Sequence, residues 1–240
     1  MTLPAFEGAT PQERLASLRA SVSGRIVFTT SFGIEDQAIT HMIRTGGHDI
    51  DIVTLDTGRL FGETHAVWAE TEQRYGLRIR SFHPDPQALT ALLDDWGANG
   101  FYLAKEARLA CCGVRKVEPL KRALAGADAW VTGLRADQSQ ARGDIMGIEF
   151  DTGHRLAKAA PLYDWSRERV AEFCATEKIP INPLHAEGYP SIGCQPCTRA
   201  IAPREPERAG RWWWEEDTAK ECGLHVDADG KFVRAKEVAQ

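Results

Sequence analysis

The sequence predicts an α/β protein with an open, mostly parallel sheet and helices on both faces. Short apolar runs typical of buried strands alternate with amphipathic helical patterns as far as Ile179, which indicates successive β-α-β units. Three polar loops directly follow such runs, at residues 31–36, 56–60 and 133–142. Because parallel sheets bind ligands at the carboxyl ends of their strands, these loops predict the position of a binding site.

Each predicted helix has a recognisable start or stop. Thr10-Pro11-Gln12-Glu13 has the pattern of a capping box with proline at the first helical position. Further helices are predicted from residue 35 to the glycines at 46–47, over residues 61–75 before Gly76, from residue 86 to residue 96, and after a cap at Asp164. Strands are predicted at residues 25–30, 50–55, 77–83 and 129–132.

The composition is typical of a soluble globular protein and disfavours several functional classes. The chain has 240 residues, with 43% hydrophobic and 26% charged, enough for one large domain or one domain with a small appendage. A formal net charge of −5 disfavours general nucleic-acid binding, which needs an excess of Lys and Arg. No run approaches the ~18 apolar residues of a membrane span, and the first residues do not resemble a secretory signal. We therefore expect a cytoplasmic protein without a membrane partner.

Four of the six cysteines form two close pairs, Cys111-Cys112 and Cys194-x-x-Cys197. A reducing compartment disfavours disulfides, so metal or redox chemistry is the better interpretation of such pairs. Adjacent cysteines point apart and would strain around one zinc ion, whereas they can reach two irons of one [4Fe–4S] cluster. The alternative is two unrelated pairs, one redox-active and one buried.

The two remaining cysteines differ in their surroundings. Cys174 lies on the apolar face of a predicted helix, where a free cysteine behaves as a small hydrophobic residue. Cys222 lies in the segment Lys220-Glu221-Cys222-Gly223-Leu224-His225. Basic neighbours lower a thiol pKa and favour a nucleophile, although an incidental surface cysteine is an equal alternative from this segment alone.

Several loops and basic residues suggest a small polyanionic ligand. The loop at residues 31–36 joins a strand to a helix, so it can present backbone N–H groups to an anion, although an ordinary turn is the favoured explanation of this loop by itself. The basic residues near predicted site elements are Arg59, Arg115, Lys116, Arg135, Arg142, Arg208 and Arg211. Solvated surface charges are the alternative, but their grouping in an acidic chain favours a bound anion.

Seven segments in chain order resemble the assimilatory adenylyl-sulfate (APS) and phosphoadenylyl-sulfate (PAPS) reductases. They are SFGIED (31–36), LDTGRLFGET (55–64), CCGVRKVEPL (111–120), TGLRADQS (132–139), GCQPCTRAI (193–201), ERAGRWWWE (207–215) and KECGLH (220–225). The resemblance implies the adenine-nucleotide α-hydrolase-like fold, related to ATP pyrophosphatases. Family members with both cysteine pairs carry one [4Fe–4S] cluster per chain and mostly use APS, which implies Cys111, Cys112, Cys194 and Cys197 as ligands here.

The resemblance also implies a mechanism and a set of site residues. Cys222 would attack the sulfur of APS, and thioredoxin or glutaredoxin would then release sulfite from the Cys222 S-sulfonate. The residues implied around the phosphosulfate are Lys116, Arg208, Arg211 and His225, and those implied around the nucleotide are Ser31, Phe32, Gly33, Leu55, Arg59, Gly133 and Arg142. Residues 1–205 would form the nucleotide-binding part and residues 206–240 a mobile tail of the same domain, with a homo-oligomer left open.

Two departures from known patterns bear on the alternatives. Gly62 stands where many relatives are expected to have proline, which concerns a turn and not the chemistry. An ATP pyrophosphatase would carry Ser-Gly-Gly-x-Asp-Ser, and Phe32 and Gln37 depart from that loop. APS reduction is therefore the expected function. PAPS reduction is the first alternative, an ATP pyrophosphatase activity is the second, and a non-catalytic iron–sulfur or zinc module would leave KECGLH unexplained.

Overall fold

The structure is a computed structural model and describes residues 2–138 and 146–215. Within these residues one six-stranded sheet has the order β3-β2-β1-β4-β6-β5. The strands are β1 (Ile26–Thr30), β2 (Asp51–Leu55), β3 (Arg80–Phe82), β4 (Ala129–Val131), β5 (Ile148–Asp151) and β6 (Leu156–Ala159). All pairings are parallel except that of β5 with β6, which confirms the predicted open, mostly parallel sheet.

Seven α-helices surround the sheet in the described part of the chain. They are α1 (Pro11–Ser21), α2 (Ile34–Thr45), α3 (Gly62–Tyr75), α4 (Pro86–Trp96), α5 (Lys105–Cys112), α6 (Glu118–Leu124) and α7 (Arg167–Thr176). A π-helical turn (Gly113–Val117) joins α5 to α6, and short 3-10 turns span Gly100–Tyr102, Ala136–Gln138, Pro183–Glu187 and Gln195–Cys197. The capping box of α1 forms as predicted, and Gly76 ends α3 in the left-handed conformation, with a φ of 59°.

The predicted cap at Asp164 is wrong. Helix α7 begins at Arg167, and the Ser166 side chain accepts a hydrogen bond from the Arg169 backbone N–H. Asp164 instead accepts two hydrogen bonds from Arg14, at 2.7 and 2.6 Å. A bidentate guanidinium–carboxylate pair is a stronger interaction than a cap, so α1 is joined to the residues before α7.

Two elements were not predicted from the sequence. The β5–β6 hairpin adds an antiparallel edge next to β4, where the short run Leu156–Ala159 gives little strand signal by itself. Residues 105–124 form a nearly continuous helical segment that contains the π turn. Cys111 and Cys112 lie at the end of its first helix, so the cysteine pair sits immediately before an irregular turn.

The sheet separates two apolar clusters and leaves a crevice at its centre. Alternate residues of β1 face opposite sides: Phe28 packs with α1, α2 and α7, and Val27 packs with α6. Strand β2 follows β1 on one side, whereas β4 lies on its other side, so strand order reverses between β1 and β4. Ligands bind α/β sheets at such a switch point, beyond the carboxyl ends of the strands. No helix among the described residues has the length and apolar character needed to span a membrane.

Candidate active site

A cleft with a volume of about 210 Å³ opens at this switch point. One side consists of strand-end residues, which include Thr30, Ser31, Gly33, Leu55 and Gly133. The opposite side consists of residues from the π turn and the last part of the described chain, which include Lys116, Cys194, Arg208 and Arg211. The fold therefore brings together distant sequence segments that were predicted separately to carry the site.

The loop after β1 is held in place by Asp36. One oxygen of this carboxylate accepts hydrogen bonds from the Ser31 backbone N–H at 2.6 Å and from the Ser31 hydroxyl at 2.7 Å. A Cβ atom at Gly133 would lie 2.2 Å from the other Asp36 oxygen, so only glycine fits where the two loops meet. Burial raises the pKa of Asp36 to about 7, although the hydrogen bonds from Ser31 oppose this shift. The floor of the cleft is thus a closely packed pair of loops.

Phe32 contributes to this floor from below and does not line the cleft. Its backbone has a φ of 60°, and its ring is buried and stacks on Trp68 with a centroid distance of 5.6 Å. A positive φ is uncommon for a bulky residue and is maintained only where surrounding packing fixes it. The buried aromatic pair therefore fixes the course of the loop between Ser31 and Gly33.

The basic side of the cleft includes a buried arginine whose donors are not all used. Arg211 is 6% exposed, and no hydrogen-bond partner for its Nε is present among the described residues. A Cβ atom at Gly193 would lie 2.2 Å from an Arg211 Nη atom, so the guanidinium packs directly over the Gly193 backbone. Lys116 and Arg208 line the same cleft. Buried donors that face a cleft suit an anionic ligand.

The four paired cysteines line one small cavity next to the cleft. Cys111 and Cys112 reach it from α5, and Cys194 and Cys197 from the loop and the 3-10 turn that follow residue 193. Its other walls are Arg59, Phe101, Arg108, Arg115, Lys116 and Trp212. In the described residues no group of three or more His, Cys, Asp or Glu is arranged around a single metal ion. The four thiols therefore share one cavity, and their role as ligands of one cluster stays a prediction.

The surroundings of these thiols shift their pKa values in different directions. Burial raises the pKa of Cys111, and it raises the pKa of Cys197 to about 11. Burial also acts to raise the pKa of Cys194, but Lys116, the Thr57 hydroxyl and nearby arginines outweigh it and leave that pKa below its ordinary value. The Thr57 hydroxyl lies 3.3 Å from the Cys194 sulfur. Cys194 therefore lies in the most thiolate-stabilising surroundings of these three cysteines.

Arg115 joins this cavity to the loop after β2. One Nη donates to the Thr57 backbone carbonyl at 2.7 Å, while the Arg115 Nε is buried without a partner among the described residues. Arg59, which was predicted to contact the nucleotide, lies on the cysteine cavity and not on the cleft. Its guanidinium lies 5.0 Å from the Phe101 ring centre and donates to the Ala98 carbonyl.

Of the other predicted residues, one lies in the core and three lie outside the described part of the chain. Cys174 is buried in the core, its pKa is raised by burial to about 12, and its sulfur lies 3.7 Å from the Ile34 carbonyl oxygen, in agreement with the packing role expected for it. Arg142, Cys222 and His225 lie outside the residues that the structure describes. The nucleophile prediction therefore stays a prediction.

An ionic network at the side of the cleft was missed in the sequence analysis. Arg135 is fully buried and donates to Glu35 at 2.8 Å and to Glu207 at 3.1 Å. Glu35 and Glu207 both line the cleft. Arg135 was grouped with the basic residues expected to attract an anion. The acidic residues within ERAGRWWWE and SFGIED were the signal that it has protein partners instead.

Comparisons with known proteins agree with this architecture. A family model described as the phosphoadenosine phosphosulfate reductase domain matches residues 25–200. A protein of Sinorhizobium fredii (strain USDA 257) named adenosine 5'-phosphosulfate reductase is 55% identical over 213 residues, which cover 89% of this chain and 84% of that protein. A protein of the same name from Agrobacterium fabrum is 56% identical and covers 88% of this chain and 81% of its own length.

Solved structures show the same fold at low sequence identity. The phosphoadenylyl-sulfate reductase of Candida auris, in complex with phosphate, has a TM-score of 0.67 at 24% identity and covers 80% of this chain and 90% of its own. Yeast FAD synthetase has a TM-score of 0.55 at 15% identity and covers 79% of this chain and 64% of its own. From the family match and the identity to these relatives, the chain belongs to the phosphoadenosine phosphosulfate reductase domain family.

Proposed function

We propose that this protein reduces adenylyl sulfate to sulfite and AMP with electrons from a thiol partner. The observation that carries the proposal is the cleft at the switch point, where strand-end loops face Lys116, Arg208 and Arg211. A nucleotide with a phosphate–sulfate anhydride needs such a two-sided site, with backbone and small residues on one side and cations on the other. The relatives at 55–56% identity carry the name of this activity.

The nucleotide is assigned to the strand-end side. Ser31, Gly33, Leu55 and Gly133 line the cleft there, and α2 begins at Ile34 directly after the first loop. A helix N-terminus and its free N–H groups stabilise a nearby anion. Phe32 supports this loop through its buried ring, and Arg142 is assigned to the nucleotide from the family resemblance. Arg59 is reassigned from the nucleotide to the wall of the cysteine cavity.

The phosphosulfate is assigned to the basic side. Lys116, Arg208 and Arg211 would surround it, together with His225 from the end of the chain. As the sulfur–oxygen bond breaks, negative charge moves onto the leaving phosphate of AMP. Cations that are already in place stabilise that charge without reorganisation, which is the largest single contribution in many enzymes.

The covalent chemistry is assigned to Cys222. Its thiolate attacks the sulfur of adenylyl sulfate, the bond from sulfur to the phosphate oxygen breaks, and AMP leaves with that electron pair. A thiolate of thioredoxin or glutaredoxin then attacks the Cys222 sulfur, and sulfite leaves with the electrons of the sulfur–sulfur bond. The second thiol of the partner resolves the mixed disulfide, so the partner supplies both electrons.

The cysteine cavity is proposed to hold one [4Fe–4S] cluster. Four thiols line it, and buried nitrogen donors of Arg115 and Arg211 lie on or beside it without partners among the described residues. A cluster that four thiolates ligate carries negative charge, and such donors stabilise it. When bound, the cluster would organise the surrounding loops and contribute to the local electrostatic field, while the thiols supply the electrons.

The remaining assignments follow from this proposal. Residues 1–205 form the nucleotide-binding part, and residues 206–240 form a tail of the same domain. The contacts of Glu207, Arg211 and Glu215 attach the first part of this tail, so closing over the ligand and reopening for the thiol partner are assigned to the part that carries Cys222. A protein reduced by thioredoxin is expected in the cytoplasm, and a homo-oligomer is compatible with the site. PAPS is the alternative substrate. An ATP pyrophosphatase activity is disfavoured because Phe32 and Gln37 replace residues of that loop.

A mass measurement on the intermediate tests the proposal. The full chain, purified anaerobically and mixed with adenylyl sulfate without reductant, should gain the mass of one SO₃ group on the peptide that contains Cys222. Addition of thioredoxin should release sulfite and remove the adduct. Cys222→Ser should form no adduct but keep its affinity for AMP, and Cys174→Ser should form it normally. An adduct on another cysteine, or AMP and pyrophosphate release from ATP instead, would contradict the proposal.

A parallel assay separates the two sulfate nucleotides. Adenylyl sulfate should show the higher kcat/KM of the two, since the site has both cysteine pairs of the APS-using relatives. A tenfold preference for PAPS, about 1.4 kcal/mol, would overturn the substrate assignment and leave the thiol chemistry intact.

A further inference from the structure

We propose that Arg135 and Arg167 are positioning residues that place Arg208 in the cleft by holding its neighbour Glu207. The identity of the ligand in this inference rests on the proposed function. Glu207 and Arg208 are adjacent in the chain and both line the cleft. A carboxylate next to the cation that binds an anion needs a separate structural reason, and its contacts supply one.

Two arginines from different elements hold the Glu207 carboxylate. Arg135, in the loop after β4, donates to it at 3.1 and 3.3 Å. Arg167, the first residue of α7, donates to it at 3.4 Å and to the Pro190 carbonyl at 2.9 Å. The Glu207 contacts therefore join the segment before Arg208 to the sheet and to α7.

Arg135 is itself fixed on every side. It is fully buried, its Nε donates to Glu35 at 2.8 Å, and its Nη1 contacts Asp137. Gln138 adds a hydrogen bond to the same Glu35 oxygen at 3.2 Å. Because three carboxylates occupy this guanidinium, Arg135 has no free donor for a substrate anion. Its contacts define a position for Glu207 that depends on the strand-end loops.

The other end of the same segment is fixed independently. The backbones of Thr198 and Arg211 form an antiparallel bridge, and the Trp212 N–H donates to the Cys197 carbonyl at 3.2 Å. Arg108 holds Glu215 through two hydrogen bonds, at 2.6 and 2.9 Å. Arg208 thus lies between two attachments of its segment. One joins Arg211 and Trp212 to the loop that carries Cys194 and Cys197, and the other joins Glu207 to Arg135. The Arg208 carbonyl also accepts a hydrogen bond from the Arg211 N–H at 3.0 Å, so this end of the segment stays attached. Loss of the Glu207 contacts would therefore leave Arg211 in place but shift the backbone at Glu207 and with it the Arg208 side chain.

Electrostatics leads to the same expectation, that loss of Arg135 and Arg167 weakens ligand binding. Without Arg135 and Arg167, the Glu207 carboxylate would be an unpaired negative charge in a cleft that must bind a polyanion. It would repel the ligand, or it would pair with Arg208 and withdraw that cation from the ligand. The two arginines therefore neutralise Glu207 as well as orient it.

A double-mutant cycle tests the inference. Binding of adenylyl sulfate and of uncharged adenosine is measured on the anaerobically purified full chain, for Glu207→Gln, Arg208→Ala and the double variant. Glu207→Gln should weaken adenylyl sulfate about tenfold and leave adenosine unchanged. In the Arg208→Ala background, Glu207→Gln should have less than about a twofold further effect, because Glu207 acts on the ligand through the position of Arg208.

A matched control lies on the same segment. Glu205→Gln removes the half-buried ion pair with Arg199, whose atoms are 2.8 Å apart and which does not line the cleft, and should leave both affinities within about twofold of wild type. Equal loss for adenylyl sulfate and adenosine in Glu207→Gln, or additive effects in the cycle, would overturn the inference. A wild-type chain that binds adenylyl sulfate but releases no sulfite would contradict the proposed function and leave the cycle interpretable.

Discussion

Arg135 and Arg211 are both buried beside the same cleft, yet their surroundings are opposite. Arg135 is surrounded by the carboxylates of Glu35, Asp137 and Glu207. The Arg211 Nε has no partner in the described chain, and its guanidinium lies over the Gly193 backbone and 4.7 Å from the Trp212 ring centre. A buried guanidinium that carboxylates satisfy maintains the fold, whereas one with an unused donor at a cleft can bind a ligand.

The cysteine cavity resembles Arg211 in this comparison, because a buried donor on its wall also has no hydrogen-bond partner among the described residues. Arg115 lies on its wall with an unpartnered Nε, as judged from residues 2–138 and 146–215. The two regions should therefore respond differently to substitution. Changes near Arg135 should affect stability first, and changes near Arg211 and the cysteines should affect ligand and metal binding first.

The largest effect is expected on the cysteine side. Cys194→Ser should abolish iron binding and sulfite release together, because four thiolates are needed for a [4Fe–4S] cluster with about four irons per chain. The measurements are the iron content and the visible absorption of anaerobically purified protein.

Cys174→Ser is the matched control, since Cys174 is equally buried but lies in the apolar core and not on the cavity. It should retain iron. Stoichiometric zinc without visible absorbance in the wild-type protein would contradict the cluster assignment.

The second prediction contrasts the two arginines directly. Arg135→Gln should lower the free energy of unfolding by about 3–5 kcal/mol, because it leaves buried carboxylates without their cation. Arg211→Gln should change it by less than about 1 kcal/mol but reduce kcat/KM for adenylyl sulfate about a hundredfold. Urea unfolding and steady-state assays on the same preparations measure both effects.

The contrast between Arg135 and Arg211 would be contradicted if both variants changed the free energy of unfolding and kcat/KM to the same extent. Equal losses of stability would mean that Arg211 is held by the protein as firmly as Arg135. An unchanged kcat/KM in Arg211→Gln, with normal iron content, would remove Arg211 from the binding site.

The last prediction concerns a pH dependence of stability from Asp36, which leaves activity and iron content aside. Burial raises its pKa from 3.8 to about 7, so the folded state favours the protonated carboxyl. This contribution to stability is complete below about pH 4 and is lost as the pH rises through 7. Unfolding free energies of wild type and Asp36→Asn should therefore differ by an amount that changes between pH 4 and 7 and levels off above about pH 8. A difference that changes in the opposite direction would contradict a raised pKa.

The fold was largely predictable because its signals are local. The strands around Phe28 and Val53 are short β-branched runs, and the capping box at Thr10 and the glycine at 76 mark helix ends within a few residues. The β5–β6 hairpin was missed because Leu156–Ala159 contains two alanines and a lysine and takes its strand conformation from pairing with β4.

The site was only partly predictable because partners determine what a charged residue does. Loop positions at strand ends predicted where a site would lie, whereas the grouping of the two cysteine pairs and of Lys116, Arg208 and Arg211 was implied by the family resemblance. The sequence does not state that Arg135 has three carboxylates around it, since Glu207 is distant in the chain. Asp164 was misassigned for the same reason: its partner Arg14 lies on α1.

The backbone bridge between Thr198 and Arg211 ties the loop that carries Cys194 and Cys197 to the anion-binding side of the cleft. The two sites therefore share one piece of backbone. If the proposed cluster forms on these cysteines, a change in how it holds their loop should be transmitted to Arg211 and should alter the affinity for adenylyl sulfate, although no cysteine of the pair touches the nucleotide in the proposed assignment.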